Sequence, residues 1–230
     1  MKVMKNKAVH RNLLIIVSLS VFVCGIHAVM LHTQFNHYVY TSALKAILFT
    51  LCPFLYCIIT KSGRLRDLFV IKEGGKKLLK LPLLSGLSVF ALVLIAHAVF
   101  QSLLDQAMVV GALLDVGITS DNYVLALLYV ICVNAALEEM FFRGFVFLNI
   151  HRMGLTKCAH IFSSLLFALY HVSVLKSGVT AGVLVLGIFG LAVSGFIFNE
   201  LARRCESVVG SLIVHICANA AIGVIGVYYL

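Results

Sequence analysis

The sequence of 230 residues contains no tryptophan and only two prolines, and charged residues make up only 12% of it. A soluble domain carries about a quarter charged residues and is about half apolar. Here 62% of the residues are hydrophobic, and the mean hydropathy is +1.07. The scarcity of charge therefore excludes an ordinary soluble domain and predicts an integral membrane protein.

Negative charge is the scarcer sign, with nine acidic residues against 18 basic ones and a net charge of +9. No compact basic domain stands apart from the apolar runs, so the excess predicts no nucleic-acid partner. The basic residues lie between apolar runs, as is typical of cytoplasmic loops. The seven cysteines are scattered without a CxxC pair. They indicate small buried hydrophobic residues rather than disulfides or a metal cluster.

Apolar runs long enough to cross a bilayer, about 20 residues each, number about seven. They cover residues 13–31, 42–60, 81–104, 123–148, 159–175, 179–198 and 208–228. Lysine and arginine concentrate in the loops after the second, fourth and sixth runs, and positive loops stay on the cytoplasmic side. We therefore predict an all-α, polytopic transmembrane bundle with its N-terminus inside. The short chain and its strong charge bias indicate a bacterial plasma membrane.

Two regions are predicted within this bundle. Residues 1–121 contain three spans, a basic cytoplasmic loop and an outer connection, and residues 122–230 contain the other four helices. In the sixth run, Gly178-x-x-x-Gly182 and Gly190-x-x-x-Ser194 predict close helix packing. Lys45 is an unusual charge in the second run, and we expect it to snorkel to the outer interface.

The fourth run contains the sequence LEEMFFRG at 137–144, which places charges at bilayer depth. Such groups cost several kcal/mol and normally face a polar interior or a partner. Glu139 and Arg143 are four residues apart, so a helix places them on one face as an ion pair. Glu138 points about 100° away from Glu139, so Arg143 does not pair with it and it is the candidate catalytic residue. Asn134 lies one turn before Glu138 and can orient it. By itself, this pattern supports a structural ion pair equally well.

Three further polar side chains lie in later apolar runs: His171, His215 and Asn219. Three helices that carry such groups towards one interior predict a single polar site with Glu138. Glu138 and His171 can hold and deprotonate a water molecule, and His215 and Asn219 can donate hydrogen bonds to an oxyanion. Together these functions describe amide hydrolysis. Alternatively, Glu138, His171 and His215 form a His2Glu zinc site, although no HExxH motif is present.

Three motifs on successive helices resemble those of the CPBP family, the CAAX protease and bacteriocin-processing (Abi) proteins that include Rce1-like enzymes. They are EExxxR at 138–143, FxxxH at 167–171 and HxxxN at 215–219, and the resemblance extends over roughly residues 129–225. It implies an intramembrane endopeptidase that cleaves a membrane-associated protein or peptide. The four helices of residues 122–230 would form its catalytic core. The motif positions imply water activation by Glu138 and His171, oxyanion stabilisation by His215 and Asn219, and support from Glu139 and Arg143.

The motifs alone decide neither whether the protein uses a cofactor nor whether it is catalytically active. Either no cofactor or zinc is consistent with the motifs, and the partners implied are membrane lipid and the substrate. The alternative function is a non-catalytic immunity or regulatory scaffold that keeps the motifs for its structure. A proton-coupled carrier is a third class, and the absence of an internal repeat disfavours it.

Overall fold

The structure is a computed structural model that describes residues 2–31, 33, 37–61, 65–71, 79–103, 105–175 and 181–229. Over these residues the secondary structure is helical, with no strand, which confirms the all-α class. The helices are α1 (Lys2–Met30), α2 (Tyr38–Thr60), α3 (Lys80–Phe100), α4 (Gln106–Asp115), α5 (Tyr123–Arg152), α6 (Thr156–Leu175), α7 (Ala181–Cys205) and α8 (Val209–Tyr229).

Six helices in the described part of the chain are long and apolar enough to cross a membrane: α1 from Ala8 onward, α2, α3, α5, α7 and α8. The predicted span 159–175 corresponds to α6, which is not among the six. Its polar residues His160, Ser163 and Ser164 are buried within the bundle. Its 20 residues nevertheless measure about 30 Å at 1.5 Å per residue, the thickness of the hydrocarbon core. Seven crossings with the N-terminus inside therefore stay our prediction.

Helix α5 is the centre of the bundle and contacts α1, α2, α6, α7 and α8. Its hydrogen-bonding register changes twice, because the segments Tyr129–Asn134 and Glu139–Phe147 are π-helical. Such wide turns are frequent at functional sites. Glu139 is the first residue of the second π segment, and Glu138 immediately precedes it. All nine residues of that segment are buried.

Aromatic rings form the packing core around this part of α5. Phe49 of α2 stacks on Phe141 with ring centroids 4.2 Å apart, and Phe142 meets Phe167 of α6 edge-on at 5.3 Å. These rings exclude lipid and water from the face of α5 that carries the charges. Peripheral to this core, α3 packs along α8.

The predicted close packing at glycine is wrong for two positions. Among the described residues, a Cβ added at Gly182 or Gly190 would meet nothing within 4 Å, because this part of α7 is turned away from its neighbours. Gly178 lies outside the described residues. The close approach is at Gly195, where an added Cβ would lie 3.0 Å from the backbone Cα of Ser164 in α6.

The short 3₁₀ segment Leu65–Phe69 packs against α2 and α5. The carbonyl of Leu68 accepts hydrogen bonds from the Val208 amide at 2.9 Å and from Ser207 Oγ at 2.7 Å. The Leu68 side chain fills the space at Gly144, where an added Cβ would lie 2.5 Å from its Cδ1. Because Gly144 has no side chain, the side chain of Leu68 can pack against α5 at the position that follows Arg143.

Candidate active site

The EExxxR motif forms a buried ion pair on α5. Arg143 Nη1 lies 3.1 Å from Glu139 Oε1, as the i,i+4 spacing predicts, and both side chains are fully buried. The guanidinium carbon of Arg143 lies 4.2 Å from the Phe167 ring centroid and 4.8 Å from that of Phe198. Aromatic faces attract cations most strongly where water is excluded. The ring pair and the carboxylate together therefore stabilise the arginine charge.

Glu139 also holds the histidine of α8. His215 Nδ1 lies 2.8 Å from Glu139 Oε1, the same oxygen that faces Arg143. A carboxylate paired with arginine is ionised and only accepts hydrogen bonds, so Nδ1 of His215 donates the proton. In a neutral imidazole this leaves Nε2 as an acceptor. Glu139 and Arg143 thus set the orientation and the tautomer of His215.

The histidine of α6 is held in the same way by a backbone carbonyl. His171 Nδ1 lies 2.8 Å from the carbonyl oxygen of Phe167, one turn earlier on the same helix. A carbonyl oxygen only accepts, so His171 also carries its hydrogen on Nδ1. Its Nε2, like that of His215, is therefore free to accept a hydrogen bond or a proton.

Glu138 lies between these two histidines. Its Oε2 is 3.6 Å from His171 Nε2 and 3.6 Å from His215 Nε2. This oxygen is buried and has no hydrogen-bond partner within the described structure. The side chain of His171 is 19% exposed, against 7% for His215 and 2% for Glu138. Of these three side chains, His171 is therefore the one most accessible from outside the protein.

The other carboxylate oxygen of Glu138 is occupied by residues that the motifs do not contain. Lys45 Nζ forms an ion pair with Glu138 Oε1 and a hydrogen bond with Asn134 Oδ1. Asn134 Nδ2 donates to the same Oε1 at 3.2 Å. The expectation that Lys45 snorkels to the interface is wrong, because Lys45 is only 6% exposed and turns inward to Glu138. Likewise, Glu138 does not lack a charged partner: the partner comes from α2.

Asn219 lies one turn after His215, but its hydrogen bond leads away from Glu138. Its Nδ2 donates at 3.1 Å to the carbonyl of Val130 in the first π segment of α5. An amide nitrogen has two hydrogens, so one is left for another acceptor. The structure thus brings Glu138, His171 and His215 together directly. Asn219 is linked to them only indirectly, through its hydrogen bond to the backbone of α5.

The zinc alternative finds no support in this arrangement. One oxygen of Glu138 is already paired with Lys45, so the carboxylate charge is balanced before any metal binds. Across the ranges that the structure describes, no group of three or more His, Cys, Asp or Glu side chains is placed to hold a metal ion. The mechanism proposed for this site therefore uses side chains and no metal ion.

Lys45 is the site residue that sequence reasoning missed. Its ammonium lies 5.1 Å from the Tyr170 ring centroid and 5.5 Å from that of Phe49, so aromatic faces surround it. The available signal was indirect: a buried acid without a cation on its own helix needs one from another helix. Lys45 is the fourth residue of the apolar run 42–60, which made it a candidate for that partner.

One comparison with known proteins found a similarity for the C-terminal part of the chain. A family model described as Type II CAAX prenyl endopeptidase Rce1-like matches residues 120–221, which include all three motifs. The match confirms the resemblance drawn from the motifs. Comparisons with curated proteins and with solved structures found no match.

Proposed function

We propose that this protein, whose residues 120–221 are Rce1-like, is an intramembrane endopeptidase that uses a water molecule activated by Glu138. The observation that carries the proposal is the free Oε2 of Glu138, which faces the Nε2 atoms of His171 and His215 at 3.6 Å each. Three acceptor atoms that converge in an apolar interior repel one another unless a hydrogen donor joins them. A water molecule supplies two hydrogens to such a set.

The proposed reaction begins with a water molecule that donates to Glu138 Oε2 and to His171 Nε2. Its oxygen attacks the scissile carbonyl carbon, so that a C–O bond forms while one water proton moves to Glu138. The carbonyl electron pair moves onto its oxygen and gives a tetrahedral oxyanion. When the C–N bond breaks, Glu138 returns the proton to the leaving amine. The products are a carboxylic acid and an amine, without any other reactant.

The oxyanion needs donors in a water-poor site, where such contacts are strongest. Asn219 retains one amide hydrogen beyond its bond to Val130. His215 becomes a second donor when its Nε2 takes up a proton from solvent as the oxyanion forms, and it releases that proton when the carbonyl re-forms. Throughout, Glu139 accepts from its Nδ1 at 2.8 Å. We assign oxyanion stabilisation to His215 and Asn219. Glu139 and Arg143 are assigned to holding His215 in place.

The substrate class follows from the surroundings of the site. The three reacting atoms lie on helices of a membrane bundle, so the substrate must be a membrane-associated protein or peptide. A cavity of about 470 Å³ lies where the beginnings of α2 and α5 meet, and it is lined mainly by apolar side chains. Ser42 and Ala46 line it and flank Lys45. We propose that this cavity accepts the apolar part of the substrate, in a protein of the bacterial plasma membrane.

The test is cleavage of an internally quenched CAAX peptide, with and without a farnesylated cysteine, by the purified protein in detergent. Glu138→Gln keeps the shape of the side chain but cannot take a proton. We expect turnover to fall by at least about 10²-fold, the scale of losing a general base. Glu200→Gln is the matched control, because Glu200 lies in the partly exposed Arg203–Arg204 cluster. It should retain full turnover.

His171→Ala supplies the second half of the test. Alone, it should lower turnover about as far as Glu138→Gln does, and it should add little in the double variant, because residues that act as a unit are not additive. Full turnover by folded Glu138→Gln would overturn the protease proposal. The motifs would then serve a binding or scaffolding protein.

A further inference from the structure

We propose that Lys45 is the resident cation of this site, a positioning residue that orients Glu138 and balances its charge so that the site needs no metal ion. This inference rests on the proposed function, because it explains how Glu138 is presented to water. Lys45 lies in α2, outside the matched residues 120–221. The N-terminal region therefore supplies part of the active site and is more than a membrane anchor.

The contacts of Oε1 show how the orientation arises. This oxygen receives the ion pair from Lys45 and the hydrogen bond from Asn134 Nδ2, while Lys45 also bonds to Asn134 Oδ1. The three side chains thus form a closed triangle between α2 and α5. Since Oε1 is held by two donors, the carboxylate cannot rotate freely. Its second oxygen, Oε2, is kept towards the two histidines.

The charge balance of the buried site shows why a cation is needed there. Glu138, Glu139 and Arg143 alone would leave one uncompensated negative charge, and a buried unpaired charge is costly. Lys45 brings the sum to zero with both histidines neutral. Without Lys45, a bound cation or an additional proton would have to supply that charge. Lys45 thus provides permanently, from within the chain, the positive charge that a metal ion would bring.

Lys45 is also placed so that it does not meet the substrate. Its ammonium is enclosed by Glu138, Asn134 and the rings of Phe49 and Tyr170, and its side chain is 7% exposed. A residue that acts only through Glu138 should affect the chemical step and leave substrate binding unchanged. This distinguishes it from a residue that binds the peptide.

The experiment compares Lys45→Met, Lys45→Arg and Lys45→Met/Glu138→Gln with wild type in the peptide assay. Lys45→Met should lower kcat about 10- to 100-fold, the scale of losing a group that orients a site residue, with KM little changed. Lys45→Arg keeps the charge and should recover part of kcat. Lys80→Met, at an exposed lysine at the start of α3, should be unchanged. An unchanged kcat in folded Lys45→Met, with Glu138→Gln inactive, would overturn the inference and leave the protease proposal intact.

Two measurements do not depend on turnover. Thermal melting should show that Lys45→Met is destabilised and that the added Glu138→Gln restores stability, because the unpaired carboxylate is gone. Additive melting effects would show that the two residues do not act as a pair and would overturn the inference. Mass spectrometry of the purified wild type should find substoichiometric zinc, and chelation should leave turnover unchanged. Stoichiometric zinc that chelation removes together with activity would also overturn it.

Discussion

Helix α3 and the second half of α5 are both apolar, yet they occupy opposite environments. Of the 21 residues in α3, only Pro82 and Gly86 are buried. In contrast, every residue from Glu139 to Phe147 in α5 is buried. Lipid tails are as apolar as leucine, so hydrophobicity does not decide which helix is central. The difference is that α5 carries Glu138, Glu139 and Arg143, which cannot face lipid. Burial in this bundle follows charge.

The neighbours of each helix support this distinction. Helix α3 meets α8 through small groups: a Cβ added at Gly86 would lie 2.8 Å from Sγ of Cys217. Helix α5 meets its neighbours through ion pairs, histidine contacts and stacked aromatic rings. We therefore expect substitutions to be costly where they unpair a charge, intermediate where backbones approach closely, and small on the lipid-facing surface.

The largest effect on stability should come from Arg143→Ala. It would leave Glu139 buried without its cation, at a cost of about 3–5 kcal/mol by analogy with buried pairs in soluble proteins. We expect a lower folded yield and a lower melting temperature in addition to lower activity. Arg204→Ala is the matched control, since this arginine is half exposed and its partner Glu200 keeps Arg203. Unchanged melting with lost activity would indicate that Arg143 contacts substrate instead.

A smaller effect is expected where α6 and α7 approach each other. Gly195→Val places a side chain against the backbone of Ser164, where even a Cβ would lie 3.0 Å from Cα. Overpacking of this kind costs about 1–3 kcal/mol, and denaturant or thermal unfolding in detergent would measure it. Gly182→Val is the control, because its Cβ would have no neighbour within 4 Å. Equal losses at both positions would show that helix propensity, rather than packing, determines the cost.

The smallest effect should come from the lipid-facing surface of α3. Leu87 is 66% exposed, so Leu87→Ala should change stability by less than about 0.5 kcal/mol, as at surface positions generally. The matched variant is Phe141→Ala in the buried half of α5, which should cost about 3–5 kcal/mol. Both changes in the free energy of unfolding are measured from unfolding curves recorded under the same conditions. A loss of several kcal/mol at Leu87 would break the contrast between the two helices.

Local periodicity was enough to predict part of the site. Glu139 and Arg143 are four residues apart on one helix, so their pairing required only the helical repeat. The convergence of Glu138 with His171 and His215 was also predictable, because isolated polar groups in apolar helices have few other places to go. The role of Asn134 followed from the same repeat, since it donates to Glu138 one turn later.

Contacts between distant parts of the chain could not be predicted in this way. Lys45 and Glu138 are 93 positions apart, and an apolar run gives no indication of whether a lysine in it turns outward to the interface or inward. The glycine pattern failed for a related reason. Gly182 and Gly195 are both small residues of α7, and only the placement of α6 beside Gly195 makes that position tight.

The sequence by itself determined the membrane location, the helical class and the residues of the three motifs. These follow from composition, from the length of apolar runs and from the repeat of a single helix, and none of them requires knowledge of which helices are neighbours. The tertiary structure decided which oxygen of Glu138 is free, which nitrogen of each histidine faces it, and that α2 provides the balancing cation. Those outcomes depend on hydrogen bonds and ion pairs between helices, whose partners are set only when the bundle packs.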